Sequence, residues 1–188
     1  MRSRVSEDFL REASDRVRPL YAQGFFFVGY NVISYYVVFD YLDPLGYYDA
    51  VKSDEKLYEN EIVKLYYNMQ ESLNSEEVYV NGERVKPRVV LVDIGFRSSR
   101  SRPYIVFGIR FKAPTKSGRN VYENKYEPEV AEYNYTAYWI LPPGSRILEV
   151  DMGGSREDWE IVSDNVLVIY GYKGVKTSGY EKIVFYLP

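Results

Sequence analysis

The 188-residue sequence contains neither histidine nor cysteine. Without an imidazole or a thiol, the chain cannot form a Ser-His-Asp or Cys-His catalytic site, and it lacks the usual zinc ligands. Catalysis by its side chains would depend on carboxylates or on lysine and tyrosine bases. The absence of cysteine also excludes disulfide bonds, but many exported proteins lack them too, so the cellular compartment stays open.

The sequence also lacks a hydrophobic run long enough for a membrane helix. The stretch that comes nearest is 24–39, sixteen residues without a charge, whereas a membrane-spanning helix needs about twenty apolar residues. It contains Asn31 and Ser34 and is rich in β-branched and aromatic residues. We therefore predict two adjacent buried strands here and no transmembrane segment. The charged first residues do not resemble an export signal.

Tyrosine is in excess, with 21 residues in a chain that is 46% apolar and 27% charged. This is a globular composition, and a chain of this length can bury about 70% of its unfolded surface. Tyrosine packs its ring and keeps a hydroxyl for a partner, so the excess indicates either half-buried strand positions or a binding surface. Many ionic residues and no cysteine are also compatible with a thermophilic source.

The first 75 residues are expected to form an α+β region packed on the rest of the chain. Ser6 is a candidate N-cap, and apolar residues recur at four-residue spacing after it, which predicts a helix over 6–18. A second helix is predicted over 54–73, where apolar side chains again share one face. Between them, Asp43-Pro44-Leu45-Gly46 is typical of a turn.

From residue 76 the pattern changes to short β-prone runs separated by turn residues. Asn81-Gly82 lies between two such runs and is the strongest short signal for a hairpin. A short helical turn capped by Ser155 is expected over 155–161. Residues 76–188 are therefore predicted to form an antiparallel β-sandwich of the immunoglobulin-like or jelly-roll type. Its further strands are predicted over 88–96, 103–112, 133–141, 146–151, 165–172 and 180–187.

The net charge of −3 conceals three blocks of opposite sign. Residues 40–83 hold eleven acids and three bases, residues 84–119 hold ten bases and one acid, and residues 120–164 hold ten acids and three bases. Complementary patches on one surface favour head-to-tail contacts between copies. We therefore expect self-association or binding to another protein, with the basic block opposite the acidic ones.

Within the basic block, residues 97–102 lie between two apolar runs and are predicted to form an exposed hairpin loop. Its three guanidiniums and three hydroxyls can clamp phosphate or carboxylate oxygens, so this loop is the predicted binding site. The same arginines could instead pair with acids of the same molecule. The candidate binding residues are Arg97, Arg100, Arg102 and Tyr104.

Acidic side chains cluster just before the strand predicted at 133–141 and around Trp159. Two carboxylates about 5 to 10 Å apart beside an aromatic platform can cleave a glycoside. Such clusters are more often solvated loops, so they are retained only as candidates for a carboxylate-dependent site. The candidates are Glu127, Glu129, Glu132, Asp151 and Asp158.

No catalytic constellation, cofactor motif or metal site is identified in the sequence. We therefore predict a non-enzymatic interaction or assembly module, such as a structural subunit, that uses the basic loop and a tyrosine-rich surface. One alternative is a nucleic-acid or polyanion binder that adds the aromatics Phe96, Tyr104 and Phe107, although the acidic remainder opposes a broad footprint. The other is a carbohydrate-binding or carboxylate-dependent glycoside-acting protein with tyrosine and tryptophan platforms.

Overall fold

The computed structural model describes residues 6–154, 156 and 158–188, which form three helices and twelve strands. The helices are α1 Glu7–Arg16, α2 Tyr47–Lys52 and α3 Glu55–Ser75. The strands are β1 Arg18–Gly29, β2 Val32–Leu42, β3 Glu77–Val80, β4 Glu83–Val85, β5 Arg88–Phe96, β6 Pro103–Lys112, β7 Gly118–Lys125, β8 Asn134–Ile140, β9 Arg146–Asp151, β10 Asp158–Ser163, β11 Val166–Gly171 and β12 Tyr180–Leu187. The fold is therefore mainly β, as predicted.

Both predicted helices are present, as α1 and α3. The Ser6 hydroxyl accepts a hydrogen bond from the N–H of Phe9 at 3.2 Å, so Ser6 is the N-cap that the sequence indicated. The predicted end of the first helix at residue 18 is wrong, because Val17 is already extended and β1 begins directly after it. β1 includes Pro19, which has no N–H and cannot continue a helix.

The predicted turn at 43–46 forms and leads into α2, a short helix that was not predicted. Asp43 is fully buried, and its carboxylate accepts hydrogen bonds from the backbone N–H groups of Gly46, Tyr47 and Tyr48, each at 2.9 Å. These N–H groups have no partner inside the helix, so the carboxylate supplies what the first turn lacks. Asp43 thereby fixes the direction in which the chain leaves β2.

The strands form two sheets. The larger has the order β10-β11-β8-β1-β2-β6-β5, and the smaller has the order β4-β3-β7-β12-β9. The named strand pairs within residues 76–188 are antiparallel, as predicted, whereas β1, which lies before that range, pairs with β8 in the parallel direction. These two strands are far apart in sequence, so the chain has the length that a parallel crossover needs. β1 and β2 are central strands of the larger sheet, which therefore contains strands from both sides of residue 75.

The 24–39 stretch lies in the β1–β2 hairpin, so the two adjacent strands are confirmed, but they are not buried throughout, since Phe27 and Tyr36 are exposed. No helix in the described part of the chain is long and apolar enough to cross a membrane. The Asn81-Gly82 turn is also confirmed: it joins β3 to β4, and both residues have positive φ, 52° and 81°. That backbone matches the twist of a two-residue hairpin and favours Asn and Gly. β5 and β6 have the predicted bounds.

Strand β10 corrects the helical turn expected over 155–161. Residues 158–163 pair with β11 as an antiparallel strand, while residues 155 and 157 lie outside the described residues. Trp159, Ile161 and Val162 favour a strand, and pairing with β11 outweighs a helix-cap signal. β7 was not predicted either.

The two sheets pack against each other through one hydrophobic cluster. Trp139 of β8 is 1% exposed, stacks on Phe26 with ring centroids 4.6 Å apart, and meets Tyr122 of the smaller sheet at 4.7 Å. Phe26 also stacks on Tyr35 at 4.4 Å. Tyr35, Tyr48 and Tyr122 are buried, so part of the tyrosine excess is core packing.

Candidate functional site

The predicted basic loop, residues 97–102, joins β5 to β6 and carries exposed arginines. Arg97 pairs with Asp40 of the same chain: Nε donates to one carboxylate oxygen at 2.7 Å and Nη2 to the other at 3.3 Å. Arg100 forms an ion pair with Asp49. Two of the three predicted guanidiniums are thus neutralised by acids from the first acidic block.

The aromatic rings near this loop also contact the loop arginines of the same chain. The Arg97 guanidinium lies 4.5 Å from the centroid of the Tyr104 ring, and that of Arg100 lies 5.8 Å from the Phe96 ring. Phe107, which was proposed as a contact for a polyanion, is 4% exposed and belongs to the core. The structure therefore brings Arg97, Arg100 and Tyr104 together, but in contacts within the chain.

Arg102, the fourth candidate, differs from its neighbours. Its backbone closes the loop, since the Arg97 N–H donates to the Arg102 carbonyl at 2.9 Å. Its side chain is exposed and has no ion-pair partner among residues 6–154, 156 and 158–188. A single free arginine is a weak clamp compared with the three that the sequence suggested.

A pocket of about 800 Å³ lies between the two sheets. Side chains of β1, β2, β8 and β11 line it on the larger sheet, and side chains of β7 and β12 line it on the smaller one. The connection from β7 to β8, residues 126–133, supplies much of the remaining wall. Its surface therefore combines apolar and aromatic groups from the sheets with polar groups from a loop, which is the usual make-up of a ligand site.

Four carboxylates line this pocket, and no lysine or arginine of the described chain does. Glu129 and Glu132 are exposed at its margin, whereas Glu76 and Glu181 are half-buried. These four residues are not arranged as a metal site, since no group of three or more acids within the described residues could hold a metal ion. The described lining of the pocket therefore concentrates negative charge.

Glu76 is the carboxylate most affected by its surroundings. The Asn124 side-chain amide donates to it at 2.9 Å. Burial raises the pKa of Glu76, the nearby charge of Glu129 raises it further, and the Asn124 hydrogen bond acts in the opposite direction. Glu76 therefore binds a proton at a higher pH than an ordinary glutamate.

The negative charge of these acids also raises the pKa of two nearby tyrosines. Burial is the main cause that raises the pKa of Tyr35, and the charges of Glu76 and Glu181 add to it. Burial likewise raises the pKa of Tyr122, with Glu181 as the next cause. Both phenols therefore stay protonated and neutral, so they cannot act as bases near neutral pH.

Asn124 has one further property. Its Oδ1 atom is buried and has no hydrogen-bond partner within the described part of the chain, while its amide nitrogen is used by Glu76. An unpaired buried acceptor costs about 1–3 kcal/mol. A ligand donor that reached this oxygen would recover that free energy.

Of the five predicted acidic candidates, Glu129 and Glu132 line the pocket, and Glu127, Asp151 and Asp158 do not. Glu76, Glu181 and Asn124, which also line the pocket, were not predicted from the sequence. A signal for Glu181 was present: in β12 it has the same parity as Ile183, Phe185 and Leu187, which are fully buried. An acid at a core-facing strand position is itself a sign of a polar pocket.

Comparison with known proteins does not place the chain in a family: no protein-family model matches it, and no curated protein does. Among solved structures it is similar to a protease candidate from Parabacteroides distasonis, at 5% identity and a TM-score of 0.34, over 93% of this chain and 41% of that one. It is also similar to yeast LTA4 hydrolase in complex with bestatin, at 9% identity and a TM-score of 0.33, over 96% of this chain and 32% of that one. The chain spans less than half the length of either protein. No function follows from similarity at this level.

Proposed function

We propose that the protein is a non-enzymatic binding module and that its ligand site is the pocket between the sheets. One observation carries the proposal: four glutamates and no cationic side chain of the described residues line a single concave site of about 800 Å³. Low-dielectric walls focus the field of like charges and raise the local concentration of a ligand of opposite charge. The ligand class is therefore an organic cation, an amine or a guanidine, with an apolar body.

The parts of the pocket suit the two parts of such a ligand. Glu129 and Glu132 lie at the margin, where they would attract the cationic group. The rings of Tyr133 and Tyr135 line the wall and offer faces to the cation and to the apolar body. The unpaired Asn124 oxygen would accept one of the ligand's N–H groups.

The alternative with a specific observation in its favour is a carbohydrate-binding or glycoside-acting protein. Glu129 and Glu132, two of the acids that the sequence suggested for that role, line the same pocket as several tyrosines. A sugar is neutral, however, and gains nothing from the negative charge of four lining glutamates. The cationic ligand explains the charge of the pocket, and the sugar explains only its rings.

The other predictions from the sequence stand as proposals with less support. Self-association and polyanion binding through residues 97–102 are disfavoured by the pairing of Arg97 with Asp40 and of Arg100 with Asp49. The immunoglobulin-like or jelly-roll type of sandwich also stays a prediction, since the parallel β1–β8 pair departs from a purely antiparallel plan.

Calorimetric titration with matched small molecules tests the pocket. Phenethylamine and agmatine should bind, with an affinity that falls as salt rises, while phenethyl alcohol and maltose should not. Replacing Glu129 and Glu132 together by Gln should weaken amine binding roughly tenfold, the equivalent of about 1.4 kcal/mol.

Glu127→Gln is the matched control, because Glu127 is an exposed glutamate of the same connection that does not line the pocket. It should leave amine binding unchanged. Amine binding that is absent at millimolar concentration, or that Glu127→Gln weakens as much as the double change does, would refute the proposal. Maltose binding without amine binding would replace it with the carbohydrate alternative.

A further inference from the structure

A second concave site carries the opposite charge. A groove of about 780 Å³ lies between the β3–β4 hairpin and the ends of β5 and β6, and it shares no lining residue with the pocket between the sheets. Glu83 is the acid that lines it within the described chain. Its cationic lining residues are Arg84, Lys86, Arg88, Arg110 and Lys112.

These cations are not neutralised as the loop arginines are. Arg84 lies 4.0 Å from Glu77, a distant and exposed pair. The other four are exposed and have no carboxylate within 4.0 Å among the residues that the structure describes. The basic block of the sequence therefore divides into a loop paired within the chain and a groove with uncompensated positive charge.

The strand register places two of these cations side by side. A β-bulge shifts the β5–β6 pairing by one residue between Val89 and Leu91, and beyond it Arg88 lies directly opposite Arg110. Directly opposite residues have Cβ atoms about 4.5–5.5 Å apart, and like charges there are destabilising. Lys112 follows two residues later on the same face of β6. An anion between the guanidiniums would turn this repulsion into attraction.

We infer that this groove binds a compact organic polyphosphate, with adjacent phosphate groups between Arg88 and Arg110 and flanked by Lys86 and Lys112. Arginine suits this role because its planar fork donates two parallel hydrogen bonds to a phosphate. The remaining lining is largely apolar and would contact the organic part of the ligand. That lining includes Val32, Val85, Val90 and Pro114.

The rest of the chain favours a compact ligand over an extended nucleic acid. The basic block is flanked in sequence by two acidic blocks, with eight and seven excess negative charges by residue count. A nucleic acid binds through a long row of phosphate contacts, whereas the described lining of the groove offers five cations. A ligand that carries its phosphates within one small molecule meets only the cations.

Binding measured at low and high salt tests the inference. The probes are ATP, inositol hexakisphosphate and inorganic triphosphate. The comparison compounds are adenosine and a single-stranded oligonucleotide of about 20 nucleotides. ATP or inositol hexakisphosphate should bind at least as tightly as inorganic triphosphate, adenosine should not bind, and affinity should fall with salt. Which of the two organic probes binds more tightly distinguishes a nucleotide from a polyol phosphate.

Arg88→Ala with Arg110→Ala should weaken phosphate binding roughly 10- to 100-fold, because two charge-assisted contacts are lost. The matched control is Arg119→Ala with Arg146→Ala, which removes the same charge from exposed positions outside the groove and should leave affinity unchanged. Because Arg88 and Arg110 repel each other, their replacement should not lower the melting temperature of the unliganded protein.

Three results would overturn the inference: no binding of any polyphosphate at low salt, an equal loss in the control variant, or tighter binding of the oligonucleotide than of ATP and inositol hexakisphosphate. The last would assign the groove to an extended polyanion. None of these results depends on amine binding in the pocket between the sheets, so the two proposals fail separately.

Discussion

Replacing Asp43 by asparagine tests the junction between β2, α2 and the 97–102 loop. The carboxylate is fully buried and accepts three backbone hydrogen bonds of 2.9 Å, two at Oδ1 and one, from Tyr48, at Oδ2. The Asp43 N–H donates to the Ser101 carbonyl at 2.9 Å, so the same residue holds the loop. Asparagine has one acceptor oxygen, and its amide would turn a donor toward the Tyr48 N–H.

The expected cost follows from the lost contact. A hydrogen bond to a charged group contributes about 1.5–3 kcal/mol, and an unpaired buried donor adds its own desolvation cost, so Asp43→Asn should destabilise the protein by about 2–4 kcal/mol. For a chain of this size about 1 kcal/mol lowers the melting temperature by roughly 2–4 °C. The expected decrease is then roughly 4–16 °C.

Urea unfolding followed by tryptophan fluorescence and circular dichroism measures this cost. Asp54→Asn is the matched control: Asp54 caps α3 at an exposed position with one hydrogen bond, from the Leu57 N–H at 3.1 Å. Asparagine caps helices about as well as aspartate, so the control should change stability by less than about 0.5 kcal/mol. If Asp43→Asn costs no more than Asp54→Asn, the reasoning about the buried carboxylate is wrong.

Two further predictions concern the pocket between the sheets. The folded-state pKa of Glu76 is raised above its ordinary value of 4.5, so its contribution to stability is present below pH 4.5 and is lost as pH rises through the folded value. Glu76→Gln should remove the part of the fall in unfolding free energy between pH 4 and 7 that is due to Glu76. A variant with the same pH dependence as the wild type would contradict the raised pKa of Glu76. A Cβ at Gly171 would lie 2.0 Å from the Tyr135 ring, so Gly171→Ala should cost about 1–3 kcal/mol and weaken amine binding. Gly29→Ala, where the nearest atom is 3.3 Å away, should cost less in the same thermal melts, and equal costs would count against the clash.

Much of the β structure follows from local sequence. β5 and β6 are apolar runs separated by a polar loop, and their bounds were predicted from that pattern. β7 was missed because two of its core-facing residues are asparagines. Asn120 is fully buried, yet its amide donates to the Lys116 and Gly118 carbonyls and its oxygen accepts from the Lys116 N–H and from Asn81. Polar residues at core-facing positions leave no apolar periodicity to detect.

The candidate sites depend more on contacts between distant parts of the chain. Charge density identified Arg97 and Arg100, but their partners Asp40 and Asp49 lie more than fifty residues away, and no local pattern links them. The sequence therefore located the basic block and could not tell which of its charges are neutralised. The opposite holds for Glu181, whose strand position could have been recognised by counting alternate residues in β12.

The bulge in β5 determines which residues of that strand face the core and which face away from it. Counted back from the Phe96–Pro103 pair without a bulge, residue 88 would lie opposite Phe111, on the core side of the sheet. The extra residue near Val90 moves Arg88 to the opposite side of the sheet. The bulge therefore keeps the Arg88 guanidinium out of the core and places it in the groove. Deleting Val90 would exchange the faces for all preceding residues of the strand. An alignment of related chains that allows no gap in this strand would therefore match groove residues of one chain with core residues of another.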